Sequence, residues 1–313
     1  GTDVADADGF DGDEVAAWGS ADPPAAPELP RLTSCPAGWA VREDATTGIA
    51  TCDPWPEGGP ADCPDGQAHF AGEAGCASVG PTCQDGDWPD DLPTDVPVRH
   101  VRDGAPAGGD GTIAAPFATI RAALSGVIPG TVVALARGAY SECIELPAGV
   151  TLWGACVAET FVNCTSPADV GGAIQVLTPG AIVKNLTVTG ARTGVWVEGR
   201  GASCDLTAVR IANVGGGGLA VTLAAVVTAR DLVVQDIAAD SPSGDFGRGI
   251  SVWGGASATV TRAIVERTHN QAVIAAEPGT VLTLEDAVVR DTAEHPSTGD
   301  DGQGVWVDLR ASA

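Results

Sequence analysis

Arg248, Arg267, His269 and His295, in the last third of this chain, carry side chains able to remove a proton or neutralise a carboxylate. Elimination or C5-epimerisation at a uronic acid needs a cation to neutralise the substrate carboxylate. It also needs an Arg, Lys or His to take the proton from C5. These four residues are the candidate catalytic set; Lys184, the single lysine, falls well before them. Asp240, Asp245, Asn270, Glu294, Asp300 and Asp301 surround them in sequence and could hold a ligand. Asp245, Asp300 and Asp301 could carry calcium, a hard cation that takes oxygen ligands, and calcium could supply the neutralising charge. No other cofactor is required. Trp196 and Trp306 could stack on sugar rings, with Trp253 nearby, or could equally be buried under another part of the chain. The plain alternative for the acids is a set of solvated loops. No Ser-His-Asp set, phosphate loop or dinucleotide pattern is present.

A repeat must position these residues. Five inward-type positions at offsets 0, 2, 5, 7 and 10 recur in phase. They read Val150, Leu152, Ala155, Val157, Thr160, then Ala181, Val183, Leu186, Val188, Ala191, then Cys204, Leu206, Val209, Ile211, Val214. The same spacing continues from Val227, Ala258 and Leu282, ending at Thr268 and Thr292 in the last two copies. The starts lie 31, 23, 23, 31 and 24 residues apart, the self-similarity of a solenoid. Each pair alternates with polar residues, the period of a strand with one buried face. A three-residue break between pairs turns the chain through a corner. A third stretch follows, GVWV at 194–197, GISV at 249–252 and GVWV at 304–307, with glycines where the backbone must bend or take positive φ. Short strands and no helical pattern predict an all-β fold, a parallel β-helix. A leucine-rich repeat is excluded by the missing L-x-x-L-x-L and core Asn. Cys204 occupies a core offset and should be a buried free thiol; Thr268 and Thr292 read as corner residues.

Three turns are longer by about eight residues, through segments 163–172, 239–249 and 293–304. All leave the coil after the same offset and should project from one edge. The last two belong to turns two rungs apart, so at about 4.8 Å per rung they would stand roughly 10 Å apart. His269 and Asn270 would form the floor of that cleft. Outward columns should carry cross-strand ion pairs, Asp236 with Arg267 and Asp291, and Glu266 with Arg290.

The start of the solenoid carries Asp110, Gly111, Pro116, Phe117, Thr119, Ile120, Ala123 and Leu124, then Gly130, Thr131, Val133, Leu135, Gly138 and Tyr140. This run resembles the N-terminal part of right-handed parallel β-helix proteins, the pectate-lyase-like superfamily. The resemblance spans roughly residues 98–313 and implies a capping helix at about 116–125. It implies fold more than activity, because such folds host lyases, hydrolases, epimerases and non-catalytic adhesins. A polygalacturonase-like hydrolase lacks support: GDDG at 299–302 is present, but the Asn-Thr-Asp, Gly-His-Gly and Arg-x-Lys partners are not.

The net charge is −25, which argues against nucleic acid and anionic membrane partners. No apolar run is long enough for a transmembrane segment. Residues 1–30 are acidic and Pro/Ala-rich, a flexible tether. Residues 31–97 contain Cys35, Cys52, Cys63, Cys76 and Cys83 with few aliphatic residues, a module expected to need disulfides. With Cys143, Cys156 and Cys164 these make eight, consistent with four disulfides, and place the protein outside the cytoplasm. With no Met at position 1, a processed N-terminus and a lipid-anchored precursor are expected. Ala313 falls at the first inward position of a new turn, so the last rung reads as incomplete. The sequence thus suggests an extracellular or surface-tethered β-helix, a non-catalytic adhesive or glycan-binding rod at the cell envelope. Its alternatives are a polysaccharide lyase or C5-epimerase in the 239–304 cleft, and head-to-tail self-association through the open rung.

Overall fold

The computed structural model describes residues 34–55, 58–165, 171–239, 247–296, 299 and 302–308. Parallel strands stack into two long sheets. In the first, Val98–Val101, Val132–Leu135, Thr151–Gly154, Ala181–Thr189, Ser203–Val214, Val226–Ile237, Ser257–His269 and Val281–Ala293 follow one another. In the second the order is Ile144–Glu145, Ile174–Val176, Thr193–Glu198, Gly217–Thr222, Arg248–Trp253, Gln271–Ala276 and Gln303–Asp308. Neighbours in each sheet are one turn apart in sequence, so the fold is a right-handed parallel β-helix. Among the described residues no helix is long and apolar enough to cross a membrane.

The register follows the repeat. Ala181, Cys204, Val227, Ala258 and Leu282 stand on successive rungs, as do Leu186, Val209, Leu232, Ala263 and Ala287. Cys204 is buried and free, and burial raises its thiol pKa. Thr268 pairs with Thr292 in register but is itself fully buried, a core position rather than a corner.

Each long strand of the first sheet has two arms, and the bend between them is a left-handed residue. Asn185, Ala208, Asp231, Arg262 and Asp286 all have φ between 49° and 56° at offset 4. Asn213, Asp236, Arg267 and Asp291 repeat this at offset 9. Asn and Asp tolerate this region, while Ala and Arg there cost about 1–2 kcal/mol each. Burial of the flanking apolar pairs, about 1.5–3 kcal/mol per large side chain, offsets that strain.

Two expectations about glycines and the first turn change. Gly194, Gly249 and Gly304, which open the third stretches, do not have positive φ. A Cβ at Gly249 would lie 2.4 Å from Val265 Cγ1 and 2.5 Å from the Ala272 carbonyl oxygen. Close approach of the third strand, not backbone conformation, demands glycine there. In the turn that starts at Val150, the second arm is not Ala155 and Val157. Phe161 and Val162 pair with Thr187 and Val188, so residues 155–159 are an insertion that carries Cys156. The extra length of this turn is therefore split between two places.

The capping helix is also smaller than expected. Phe117 bridges Val101 in strand fashion, and only Ile120–Leu124 is helical, started by Thr119, whose hydroxyl accepts the Ala122 amide. Its Ile120 and Ala123 are buried in the coil's core. This turn is part of the first coil rather than a separate cap.

Four disulfides form: Cys35–Cys52, Cys63–Cys76, Cys83–Cys156 and Cys143–Cys164. The Cys-rich segment folds back against the coil. Phe70 and Val79 are buried against Val157, Ala208, Val233 and Ile264, with Val288 at the margin. Val233, Ile264 and Val288 all occupy offset 6, an outward column of the first sheet. Arg210 to Asp65 (2.9 Å) and Arg262 to Glu73 (3.0 Å) flank the contact, and the Arg262 guanidinium lies 3.9 Å over the Phe70 ring.

Candidate functional site

The corner beneath segments 239–249 and 293–304 gathers part of the candidate set. The His269 amide donates to Gly247 O at 2.8 Å, which brings Arg248 into the same corner. Arg248 Nε donates to Gln271 Oε1 at 2.9 Å, and its guanidinium stands 5.9 Å from the Trp253 ring. His269 Nδ1 lies 3.0 Å from Ile237 O. A carbonyl can only accept, so Nδ1 carries a proton and donates it, which fixes the orientation of the ring. Both ends of the segment 293–304 close on the corner: Asn270 N donates to Ala293 O, and Gln303 N to Asn270 O. Asn270 is buried, and among the described residues neither its Oδ1 nor the Thr268 hydroxyl has a partner. His295 is buried and Glu294 exposed. Asp240, Asp245, Asp300 and Asp301 lie outside the described residues, and with them the whole calcium set. Among the described residues, the one grouping with metal-ligand spacing is Cys83, Cys156 and Glu159. Its two sulfurs are bonded to each other, so they offer no thiolate.

Arg267 belongs to a different cluster. Its Nε and Nη2 reach the Asp236 carboxylate at 2.6 and 3.1 Å, and its Nη1 pairs with Glu266. Arg290 Nε donates to the other Glu266 oxygen at 2.7 Å. The hydrogen bonds that Arg267 donates to Asp236 favour the charged guanidinium and raise its pKa. Asp236 with Arg267 and Glu266 with Arg290 are the cross-strand pairs foreseen in the outward columns, whereas Asp291 lies 3.7 Å from Arg290 on its own strand. They border a small cavity of about 140 Å³ roofed by Asp62, Gln67 and His69 of the Cys-rich segment. His69 accepts the Ala61 amide at Nδ1 and donates from Nε2 to Glu73 O, both at 2.8 Å. Lys184 stands apart, its ammonium 3.0 Å over the Trp153 ring, with burial lowering its pKa.

The two tryptophans share one outward column of the second sheet. The register runs Glu145, Gln175, Trp196, Ala220, Ser251, Ile274, Trp306. Trp196 and Trp306 are four rungs apart, roughly 19 Å at the usual strand spacing. The column is not the face that the Cys-rich segment covers, which lies on the first sheet. Trp306 remains 36% exposed, and Trp196 is half-buried beside Gly171 and Gly172. The Trp196 indole N–H donates to Thr222 Oγ1 at 3.3 Å, which fixes the ring. At the column's N-terminal end, Glu145 and Gln175 open into a groove of about 920 Å³.

The groove was not legible from motifs, because its walls come from residues 119–125 and 141–147, a turn apart. The offset-6 stripe was legible. Val233 and Ile264 interrupt the alternation with apolar triplets, Leu232-Val233-Val234 and Ala263-Ile264-Val265, where earlier turns have Thr187 and Arg210.

No protein-family model matches the chain, and no curated protein matches it. Among solved structures it is similar to the pectin methylesterase from carrot, at 12% identity and a TM-score of 0.41 over 63% of this chain and 65% of that one. The matched part is thus under two thirds of the carrot enzyme's length. It is also similar to an alginate lyase from Paenibacillus sp. str. FPU-7, at 17% identity and a TM-score of 0.39 over 56% of this chain and 72% of that chain. A pectin methylesterase from Aspergillus niger matches at 13% identity and a TM-score of 0.37, over 71% and 86% of the two chains. The fold assignment stands on strand order and register.

Proposed function

We propose that this is an exported, surface-tethered β-helix protein that binds glycans without cleaving them. The organisation in this reading is a tether at 1–30, a disulfide-stapled module at 31–97 and the β-helix at 98–313. The observation that carries it is the outward column of the second sheet. Trp196 and Trp306 stand four rungs apart in it with Ala220, Ser251 and Ile274 between them, the last two buried, a trough for sugar rings whose stacking faces are the two indoles. Indole faces stack on apolar sugar faces, and Gln175 and Glu145 extend the trough with hydrogen-bonding groups. The net charge of −25 favours neutral over acidic glycans. Four disulfides fit an oxidising compartment. The test is titration calorimetry with neutral β-glucan oligomers. Trp306→Ala should weaken binding about tenfold, the scale of one lost aromatic contact; an unchanged affinity would exclude the column.

One observation favours a second reading, a lyase or C5-epimerase acting on acidic glycans. His269 is oriented by the bond from Nδ1 to Ile237 O, and Arg248 shares its corner. In such a reaction Nε2 would take the C5 proton while a cation holds the carboxylate. Incubation with alginate and polygalacturonate, with and without calcium, tests this by the ultraviolet absorbance of unsaturated products and by NMR for epimerised residues. Activity abolished by His269→Ala would establish the enzyme. No turnover by the unsubstituted protein would sink it.

A further inference from the structure

The trough on the second sheet has an end. Passing Trp196 and Gln175, the outward column reaches Glu145 on the strand Ile144–Glu145, the last of this sheet in the strand order. Beyond it lies the groove of about 920 Å³, and its opposite wall is the helical turn with Arg121, Leu124 and Ser125. That wall is fastened to the strand. The Glu142 carboxylate accepts the amides of Ile120 and Arg121 at 2.6 and 3.0 Å, and Arg121 Nη2 donates to Cys143 O at 3.3 Å. The Cys143–Cys164 disulfide holds the same edge covalently. A polymer lying along the column would therefore meet a fixed wall and could not run past it.

The geometry points to recognition of a glycan chain end: the terminal sugar of a neutral glycan occupies this groove, while its following units run over Gln175 and Trp196 in the direction of Trp306. This inference rests on the glycan-binding reading above. The groove falls in the size range of small-molecule sites. Its free chemistry suits hydroxyl groups. Glu145 is exposed and offers two acceptor oxygens, Gln175 offers a donor and an acceptor, and Ser125 offers both. Leu124 provides an apolar patch for a ring face. A wall of this kind distinguishes one end of a chain from its interior, because only a terminus can enter without a second glycosidic bond colliding with the helical turn.

The experiment uses the full chain with cellohexaose and laminarihexaose. Each is offered in three forms: unmodified, reduced to the alditol at the reducing end, and methylated at the non-reducing end on the hydroxyl that would carry the next unit. Chain-end recognition predicts that one end modification lowers affinity by about tenfold or more while the other leaves it nearly unchanged. Glu145→Gln, at an exposed position, should abolish that discrimination while Trp306→Ala weakens all forms alike. Equal affinities for the three forms, with Trp306→Ala still weakening each, would overturn the chain-end inference and leave glycan binding standing. No binding by any form would overturn both.

Discussion

A methyl group at Gly249 would arrive 2.4 Å from Val265 Cγ1 with strand backbone on its other side, so neither neighbour can simply rotate away. Gly249→Ala is expected to cost about 2–3 kcal/mol, the scale of an overpacked core, seen as a lower urea midpoint. An unchanged midpoint would mean that the sheets are not held at this spacing. Single residues also set the response to acid. The Thr112 amide and hydroxyl bond the Asp110 carboxylate at 2.9 and 2.8 Å, and the amide bond chiefly holds its pKa below 3.8. Asp44 is held down likewise by the amides of Thr47 and Thr46. A carboxyl with a depressed folded-state pKa contributes fully above its unfolded value. That contribution is lost as the pH falls through the folded value. Stability should therefore decline below about pH 4, and Asp110→Asn should make the decline shallower; identical slopes would remove this carboxylate from the explanation.

Among the elements, the paired columns do unequal work. Glu266 is only 6% exposed, and both its oxygens are taken by Arg267 and Arg290. Glu266→Gln leaves two guanidinium groups facing one amide, at an expected cost of about 2 kcal/mol. Asp236→Asn, at a more exposed pair, should cost under about 1 kcal/mol. Thermal unfolding of the two variants checks the order, and a larger loss for Asp236→Asn would reverse it. Much at this scale was readable in the chain. The offsets 0, 2, 5 and 7 matched the strand register from Ala181 onward, because burial forces one residue type at each of these positions. The corners were visible only as breaks in spacing; that Arg262 and Arg267 adopt positive φ runs against local preference and follows from the stacking of neighbours. The first turn misled, since Val157 has the type and spacing of a core residue. It is buried, but against the Cys-rich segment rather than inside the coil. Hydrophobicity reports burial and says nothing about which partner supplies it. The groove beside Glu145 escaped for a related reason: its residues meet only after the coil has turned once.

For the whole molecule, the Cys-rich segment and the coil should unfold as one cooperative body. Phe70 and Val79 have their buried contacts on the coil, and Cys83–Cys156 joins residues 73 apart in sequence. Replacing both cysteines, Cys83→Ser with Cys156→Ser, should cost about 4 kcal/mol by the loop-entropy relation. Calorimetry should show a lower melting temperature, and the ion pairs of Arg210 and Arg262 should become more sensitive to salt. Two separate transitions in the intact protein would contradict the single body. The attachment points also lie at different heights. Cys156 is in the turn that begins at Val150, Gly80 packs on Ala208, and Arg262 with Ile264 belongs to the turn that begins at Ala258. A coil of near-equal turns could in principle lengthen by duplicating one of them. Here an added turn between Cys156 and Ile264 would displace one anchor from the other by roughly 4.8 Å, and the strap would no longer reach its seat. The strap is therefore a gauge: it makes the number of turns it spans a property of the protein that duplication cannot change without loss.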